Sequence, residues 1–190
     1  MFSTEQLIAD CRAALAADKS HKLVCEVVRR AVSDPAAVLK GLGEPKHAGL
    51  HELYRSETLT ILNVVWGPMM TVPPHNHQMW AVIGVYTGRE DNIFWRRIPG
   101  GDKVEAAGAK ALCVKDAVPL GHDIIHSVTN PIPRLTGAIQ VYGGDFFSPS
   151  RREWNSETLS EGPFDIERAR RRFEQSNEVW MKVQHNGDSP

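Results

Sequence analysis

The sequence predicts a mainly β protein, an antiparallel jelly roll with a helical segment before its strands and a C-terminal helix after them. Beyond Pro45, short runs of β-branched, aromatic and aliphatic residues alternate with Gly, Pro, Asn or Asp, a pattern that indicates strands and their connections. Before Pro45, apolar residues recur instead at spacings of three and four, as in helices. Many short strands at such regular spacing are typical of jelly-roll sandwiches and barrels.

The helical segment divides into three predicted helices. Ser3 or Thr4 can cap the first, because a side-chain oxygen at that position can accept a hydrogen bond from a free N–H of the first turn. The second helix covers residues 23–31. The third begins at Asp34-Pro35 and ends at the glycines of residues 41–43.

Seven strands are predicted after these helices, at residues 51–55, 59–66, 80–86, 92–97, 104–114, 126–129 and 135–142. Helical character returns over residues 164–180, and residues 184–190 are expected to be frayed. We therefore expect one domain over residues 1–190, which consists of a helical cap (1–45), a β-barrel (46–150) and a C-terminal helix with its tail (151–190).

Composition limits the classes of function. The formal charge is −1, from 22 basic and 23 acidic residues, so no overall field attracts nucleic acid or an anionic membrane. The basic run 168–172 lies among acidic residues, which favours a solvated helix face over a nucleic-acid site. No apolar run is long enough to cross a bilayer, and the three cysteines form no CxxC motif. We expect no signal peptide, because the first residues lack a basic segment followed by an apolar one. We expect a cytoplasmic protein that is a monomer or a weak homo-oligomer.

The most informative stretch is Pro73-Pro74-His75-Asn76-His77, which His126 follows about fifty residues later. On an extended segment, His75 and His77 project to the same face, and a histidine from another strand can complete a set of three. Neutral imidazole suits Fe, Zn, Cu and Ni. Taken alone, the pair could as well be loop histidines without a ligand role, and His122 competes with His126 as the third ligand.

Two segments resemble the motifs of the cupin superfamily. The HxH pair with residues 80–88 is similar to the first motif, and the segment 119–130 is similar to the second. The resemblance implies a double-stranded β-helix in which the two motifs face each other and share one metal ion. The chain departs from the pattern at one point, because no residue between His77 and Gly88 is acidic and could supply the glutamate ligand of many cupins.

A closer resemblance is to the thiol dioxygenases, namely cysteine dioxygenase and its bacterial relatives that act on 3-mercaptopropionate. The order of Tyr54-Arg55, the strand 59–66 and the HxH pair is similar, and His126-Ser127-Val128-Thr129-Asn130 is similar to the family's H-x-V-x-N motif. The resemblance implies an Fe(II) cofactor held by His75, His77 and His126. It also implies that His126, rather than His122, is the third ligand and that Asn130 orients it.

The same resemblance implies roles for further residues. Arg55 would bind the substrate carboxylate through its two-pronged guanidinium, although an arginine at a strand end is more often solvated. Tyr142 would donate a hydrogen bond to bound oxygen or substrate, with Gln140 orienting it, and Trp80 could line the pocket. Gln140 and Ala138 replace the family's outer-sphere histidine and serine, which leaves the substrate open.

These features predict a non-haem Fe(II) dioxygenase that adds O2 to the sulfur of a small thiol carboxylic acid, of the cysteine or 3-mercaptopropionate type, to give a sulfinate. Two alternatives remain. Gln140 favours a metalloenzyme, either an oxygenase or an isomerase, that acts on a small acid without a thiol. The other alternative is a metal-binding sensor without turnover, although the sequence has no DNA-binding helix pair or linker to an output domain.

Overall fold

The computed structural model describes residues 2–148 and 150–187. Three helices precede the strands: α1 (Thr4–Ala17), α2 (His21–Val32) and α3 (Pro35–Leu42). The cap predicted at Ser3 is confirmed, because its side chain accepts a hydrogen bond from the backbone N–H of Gln6.

A fourth helix, α4 (Ile166–Gly187), follows the strands. The tail predicted to fray over residues 184–190 is helical as far as Gly187, and residues 188–190 lie outside the described part of the chain. In residues 2–148 and 150–187, no helix is long and apolar enough to span a membrane.

Eleven strands in the described chain form two antiparallel sheets. The first sheet has the order β1 (Gly49–Arg55), β2 (Thr60–Trp66), β9 (Thr136–Tyr142), β4 (Ala81–Thr87) and β7 (Ala117–Leu120). The second has the order β11 (Glu161–Pro163), β10 (Arg152–Trp154), β3 (Thr71–Asn76), β8 (Ile125–Thr129), β5 (Arg89–Arg97) and β6 (Val104–Cys113). The chain crosses repeatedly between the sheets, which confirms the mainly β, jelly-roll fold with helices at both ends.

Four strands are not among the seven predicted from the sequence, namely β3, β7, β10 and β11. Two of them, β10 and β11, follow residue 150, so the sheet continues into the region for which the sequence predicts only a helix and a tail. Strand β10 pairs with β3, where Glu153 lies opposite His75. The barrel therefore includes this later segment, and β10 borders the strand that carries the HxH pair.

Side chains along each strand of the first sheet point alternately to its two faces, and each face packs in a separate apolar core. On β9, Ala138 and Tyr142 face the barrel interior, whereas Ile139 and Val141 face the opposite side and pack in the cluster that contains Val28 of α2. The N-terminal helices thus cover the outer face of this sheet. The barrel interior, between the two sheets, is left for the histidines.

Strands β3 and β8 position these histidines. The two strands are antiparallel neighbours, and His75 lies directly opposite His126. Their register is irregular between Val72 and His75, because the two intervening prolines have no N–H to donate to the ladder. Pairing resumes at His75, and His77 follows the end of β3.

Candidate metal centre

Three buried histidines, His75, His77 and His126, converge in the barrel interior and are called the histidine cluster below. The Nε2 atom of His77 lies 3.2 Å from Nε2 of His75 and 3.4 Å from Nε2 of His126. The three residues are only 7%, 6% and 2% exposed. In the described chain they form a group whose ligand atoms are close enough together to hold one metal ion.

Hydrogen bonds at the outer ring nitrogens determine two of the three tautomers. Nδ1 of His75 lies 2.9 Å from the carbonyl oxygen of Pro73, and Nδ1 of His126 lies 2.7 Å from Oδ1 of Asn92. A carbonyl oxygen can only accept, so both Nδ1 atoms donate and both Nε2 atoms carry lone pairs. A proton on Nε2 of His77 can satisfy one of its two neighbours, whereas a shared cation satisfies all three nitrogens.

Burial keeps the imidazoles neutral, which is the form that binds metal. Burial lowers the pKa of His75 to about 4, against the hydrogen bond to Pro73, which raises it. Burial also lowers the pKa values of His77 and His126 well below the ordinary value. If two nitrogens each lie about 2.1 Å from an ion and the N–ion–N angle is about 100°, the nitrogens lie ~3.2 Å from each other. The observed separations between the Nε2 atoms therefore fit a first-row metal such as Fe or Zn.

His122 and Asn130 do not belong to this cluster. The side chain of His122 is 63% exposed and lies against a neighbouring carboxylate. Asn130 is fully buried, but its Nδ2 donates to the carbonyl oxygens of Gly67 and Arg134, at 2.8 Å each. Asn130 therefore holds the backbone after β8, and His126 supplies the third imidazole.

A mostly apolar cavity borders the histidine cluster. Gln140 and Tyr142 of β9 line it, together with Arg151. Aromatic side chains from several elements complete its wall, namely Trp66, Phe146, Phe164 and Phe173. Phe173 belongs to α4, so the C-terminal helix closes one side of the cavity.

The cation in this cavity is Arg151, and not Arg55. Arg151 is 4% exposed, and its guanidinium carbon lies 4.2 Å from the ring centroids of both Phe146 and Phe164. Its Nε and Nη1 atoms have no hydrogen-bond partner in the described chain. Burial lowers the pKa of Arg151 to about 10, which leaves the side chain charged at neutral pH.

Arg55 and Trp80, expected at the substrate site, lie elsewhere. Nε and Nη2 of Arg55 each donate to Asp145 at 2.8 Å, and the side chain is 43% exposed. Trp80 packs on the helix-covered side of the first sheet, because Ala81, the next residue, faces the interior. Neither residue lines the cavity, so the geometry does not support the substrate-binding roles expected for them.

Gln140 and Tyr142 lie at the cavity, as expected. The Tyr142 hydroxyl donates to Oε1 of Gln140, and its ring packs edge-on against His77 with 5.1 Å between the ring centroids. The hydrogen bond anticipated between the two residues is therefore present. In this arrangement the tyrosine proton is engaged with Gln140 instead of being directed at the cavity.

Glu90, which is not among the site residues predicted from the sequence, lies behind Gln140. It is fully buried near the start of β5 and accepts hydrogen bonds from Trp66, Asn92 and Gln140. Burial raises its pKa, while these hydrogen bonds act in the opposite direction. The available signal was the i, i+2 spacing of Glu90 and Asn92, which places two polar side chains on one face of a strand.

No protein-family model matches the chain. Among solved structures, it is similar to an RmlC-like cupin family protein from Methanocaldococcus jannaschii, with 12% identity, coverage of 55% of this chain and 86% of that chain, and a TM-score of 0.45. It is also similar to oxalate oxidase in complex with glycolate (13% identity, 54% and 53% coverage, TM-score 0.41). For the DMSP lyase DddQ from Ruegeria pomeroyi, the identity is 18%, the coverage 54% and 46%, and the TM-score 0.41. These distant similarities do not bear on activity.

Proposed function

We propose that the protein is a metal-dependent dioxygenase of small thiol carboxylic acids, with Fe(II) as its cofactor. The proposal depends on one observation, that three convergent imidazole nitrogens and an unpaired guanidinium share a buried cavity. Three imidazoles suit a metal ion that keeps open coordination positions, and a guanidinium suits a planar carboxylate. The thiol part of the proposal is supported by the resemblance of the sequence motifs to those of the thiol dioxygenases.

The histidine cluster would hold the ion through its three Nε2 atoms. A bound ion would lower the pKa of the substrate thiol and bring sulfur and dioxygen side by side. The overall reaction, R–SH + O2 → R–SO2H, places both oxygen atoms on sulfur and needs no outside reductant. The contribution of the protein is to position the substrate and to exclude water.

Arg151 would bind the carboxylate in the role that the sequence resemblance implied for Arg55. Phe146 and Phe164 contact the guanidinium through their ring faces, which hold it in place without using its N–H groups. Nε and Nη1 therefore stay available for an anion. The apolar wall keeps bulk water away, and a charge contact is stronger in such surroundings than in water.

Oxygen consumption by the Fe(II)-loaded protein tests the proposal. We expect turnover of 3-mercaptopropionate or cysteine to a sulfinate, identified by mass spectrometry, and poor turnover of cysteamine, which lacks the carboxylate. Arg151→Met should raise KM for thiol carboxylates by about tenfold or more, equivalent to at least ~1.4 kcal/mol, whereas Arg55→Met is the matched control and should not. Equal turnover of cysteamine and the thiol acids would contradict the carboxylate contact, and absence of turnover with every thiol would contradict the reaction.

A second candidate is a metalloenzyme that acts on a small acid without a thiol. Gln140 favours it, because this residue stands where the thiol dioxygenases carry their outer-sphere histidine, and an amide does not titrate near neutral pH. Thermal unfolding of the Fe(II)-loaded protein with propionate or 3-mercaptopropionate separates the two candidates, since these acids differ in the thiol. The thiol acid should raise the unfolding midpoint further if the first candidate is correct, and equal increases would favour the second.

A further inference from the structure

Glu90 is a fully buried carboxylate that meets three N–H donors. The indole Nε1 of Trp66 donates to its Oε2 atom at 2.7 Å, and Nε2 of Gln140 donates to the same oxygen at 3.3 Å. Nδ2 of Asn92 donates to Oε1 at 3.0 Å. Both carboxylate oxygens therefore act as acceptors, which compensates for the loss of solvent around the charge.

The three donors differ in whether they can be reversed. The indole N–H of Trp66 can only donate, whereas a side-chain amide can flip by about 180°, which exchanges the positions of its oxygen and its nitrogen. The orientation of the Asn92 amide is therefore set by its neighbours. Because Nδ2 donates to Glu90, Oδ1 is directed at Nδ1 of His126, 2.7 Å away. This contact requires the His126 proton to be on Nδ1 and leaves the Nε2 lone pair within the histidine cluster.

We propose that Glu90 is a positioning residue for the third histidine: by orienting the Asn92 amide, it selects the tautomer of His126 that can bind a metal ion. The inference rests on the metal site of the proposed function and extends that site outward by two residues. Glu90 itself contacts no member of the histidine cluster and acts only through Asn92.

Glu90→Gln reverses this orientation while it preserves the size of the side chain. The indole N–H of Trp66 cannot be reversed, so the glutamine oxygen must remain at the position of Oε2. Its NH2 group then replaces Oε1 and faces the NH2 group of Asn92, with which it cannot form a hydrogen bond. The side-chain amide of Asn92 flips by about 180° in response and presents Nδ2 to His126. His126 must then accept at Nδ1 and carry its proton on Nε2, where the proton blocks metal binding.

Asn92→Asp is the compensating substitution. An aspartate carboxylate has no donor when it is ionised, so it accepts from the glutamine NH2 group on one side and from Nδ1 of His126 on the other. The double variant Glu90→Gln/Asn92→Asp moves the negative charge by two residues and leaves the net charge unchanged. It therefore restores the parent tautomer of His126.

Two measurements test the proposal. In the metal-free protein, 15N chemical shifts of the histidine rings should identify the proton of His126 on Nδ1 in the parent, on Nε2 in Glu90→Gln, and on Nδ1 again in the double variant. Zn(II) affinity, measured by competition with a chelator, should fall about 10- to 100-fold in the single variant. In the double variant it should return to within about threefold of the parent value.

Glu105→Gln serves as the matched control. This glutamate side chain is 48% exposed and pairs with Arg96, so the substitution should alter neither the His126 tautomer nor the affinity for Zn(II). A proton that remains on Nδ1 in Glu90→Gln, or a loss of affinity that Asn92→Asp does not reverse, would overturn the proposal. If Glu90→Gln does not fold, recovery of folding and Zn(II) affinity in the double variant supports the proposal, and lack of recovery refutes it.

These results are independent of turnover. The tautomer is measured without metal, and the affinity is measured with Zn(II) and without a thiol. A protein that oxidises no thiol could still show the expected tautomers, and an active thiol dioxygenase could fail to show them. Failure of this inference and failure of the proposed function are therefore distinguishable.

Discussion

Arg151→Met should make the protein more stable and remove its affinity for small carboxylates. Burial lowers the pKa of this guanidinium from the ordinary arginine value to about 10. At 1.36 kcal/mol for each pH unit, this difference corresponds to a burial penalty of about 3 kcal/mol. The two aromatic contacts of the cation offset the penalty by about 1 kcal/mol each. Methionine keeps much of the packing, so the net gain in unfolding free energy should be about 1–2 kcal/mol.

The sign of this effect follows from the direction of the pKa shift. The pKa of Arg151 is lower in the folded than in the unfolded state, so the unfolded state binds more protons between about pH 10 and the ordinary pKa of arginine. The free-energy penalty of burying the cation is therefore at its full value below about pH 10. The penalty disappears as the pH rises through that interval. A measurement at neutral pH reports the whole of it.

Denaturant and thermal unfolding of the metal-free protein, in a buffer without carboxylates, measure the gain. We expect the thermal midpoint of Arg151→Met to rise by about 2–8 °C. Arg55→Met is the control, because it removes an exposed arginine paired with Asp145 and should change the midpoint little. Propionate at ~100 times its Kd should stabilise the parent by about 2.7 kcal/mol and should not stabilise Arg151→Met. An Arg151→Met protein that is less stable than the parent, or that propionate stabilises equally, would refute this account of the cation.

Three further predictions concern the histidine cluster and its surroundings. Alanine substitution of any one of its three members should abolish tight Zn(II) binding, measured by metal analysis, whereas His122→Ala should retain full occupancy. Asn130→Ala should lower the unfolding free energy by about 2–4 kcal/mol, because it leaves several buried backbone groups unpaired, yet the folded protein should still bind metal. Tyr142→Phe should cost about 1–3 kcal/mol, because it removes the donor to Oε1 of Gln140; an unchanged denaturation midpoint would argue against that contact.

The fold could be predicted from the sequence where residue patterns are local. Strands β2, β4 and β9 are runs of β-branched and aliphatic residues between turn residues, and the sequence identifies all three. Strand β3 contains two prolines, which weaken the strand signal and interrupt its pairing with β8. Strands β10 and β11 have three residues each and include charged side chains. Their pairing depends on distant partners, which local patterns do not reveal.

The distinction between local patterns and distant pairing also applies to the residues of the site. The histidine pair was predictable because residues two apart on an extended segment share a face. Arg151 was not, because it lies in an arginine-rich segment that has the composition of a solvated loop. It becomes buried only when β10 pairs with β3 and two phenylalanines enclose it. Arg55 was predicted from the order of motifs, but the order does not specify which arginine faces the interior.

If the protein acts on thiol acids as proposed, the charges around the cavity favour a thiol acid without an amine over cysteine. Three neutral imidazoles would leave a divalent ion its full charge, and Arg151 adds one positive charge at the cavity wall. Positive charge would therefore exceed negative charge among the groups that line the cavity, in surroundings where uncompensated charge is costly. 3-Mercaptopropionate brings two negative charges as thiolate and carboxylate, whereas cysteine also brings an ammonium group, for which no acidic residue lines the cavity in the described chain. We therefore expect kcat/KM of the Fe(II)-loaded protein to be at least about tenfold higher for 3-mercaptopropionate than for cysteine, equivalent to ~1.4 kcal/mol. A preference for cysteine would show that an acceptor for the ammonium group exists at the site and that this count of charges is incomplete.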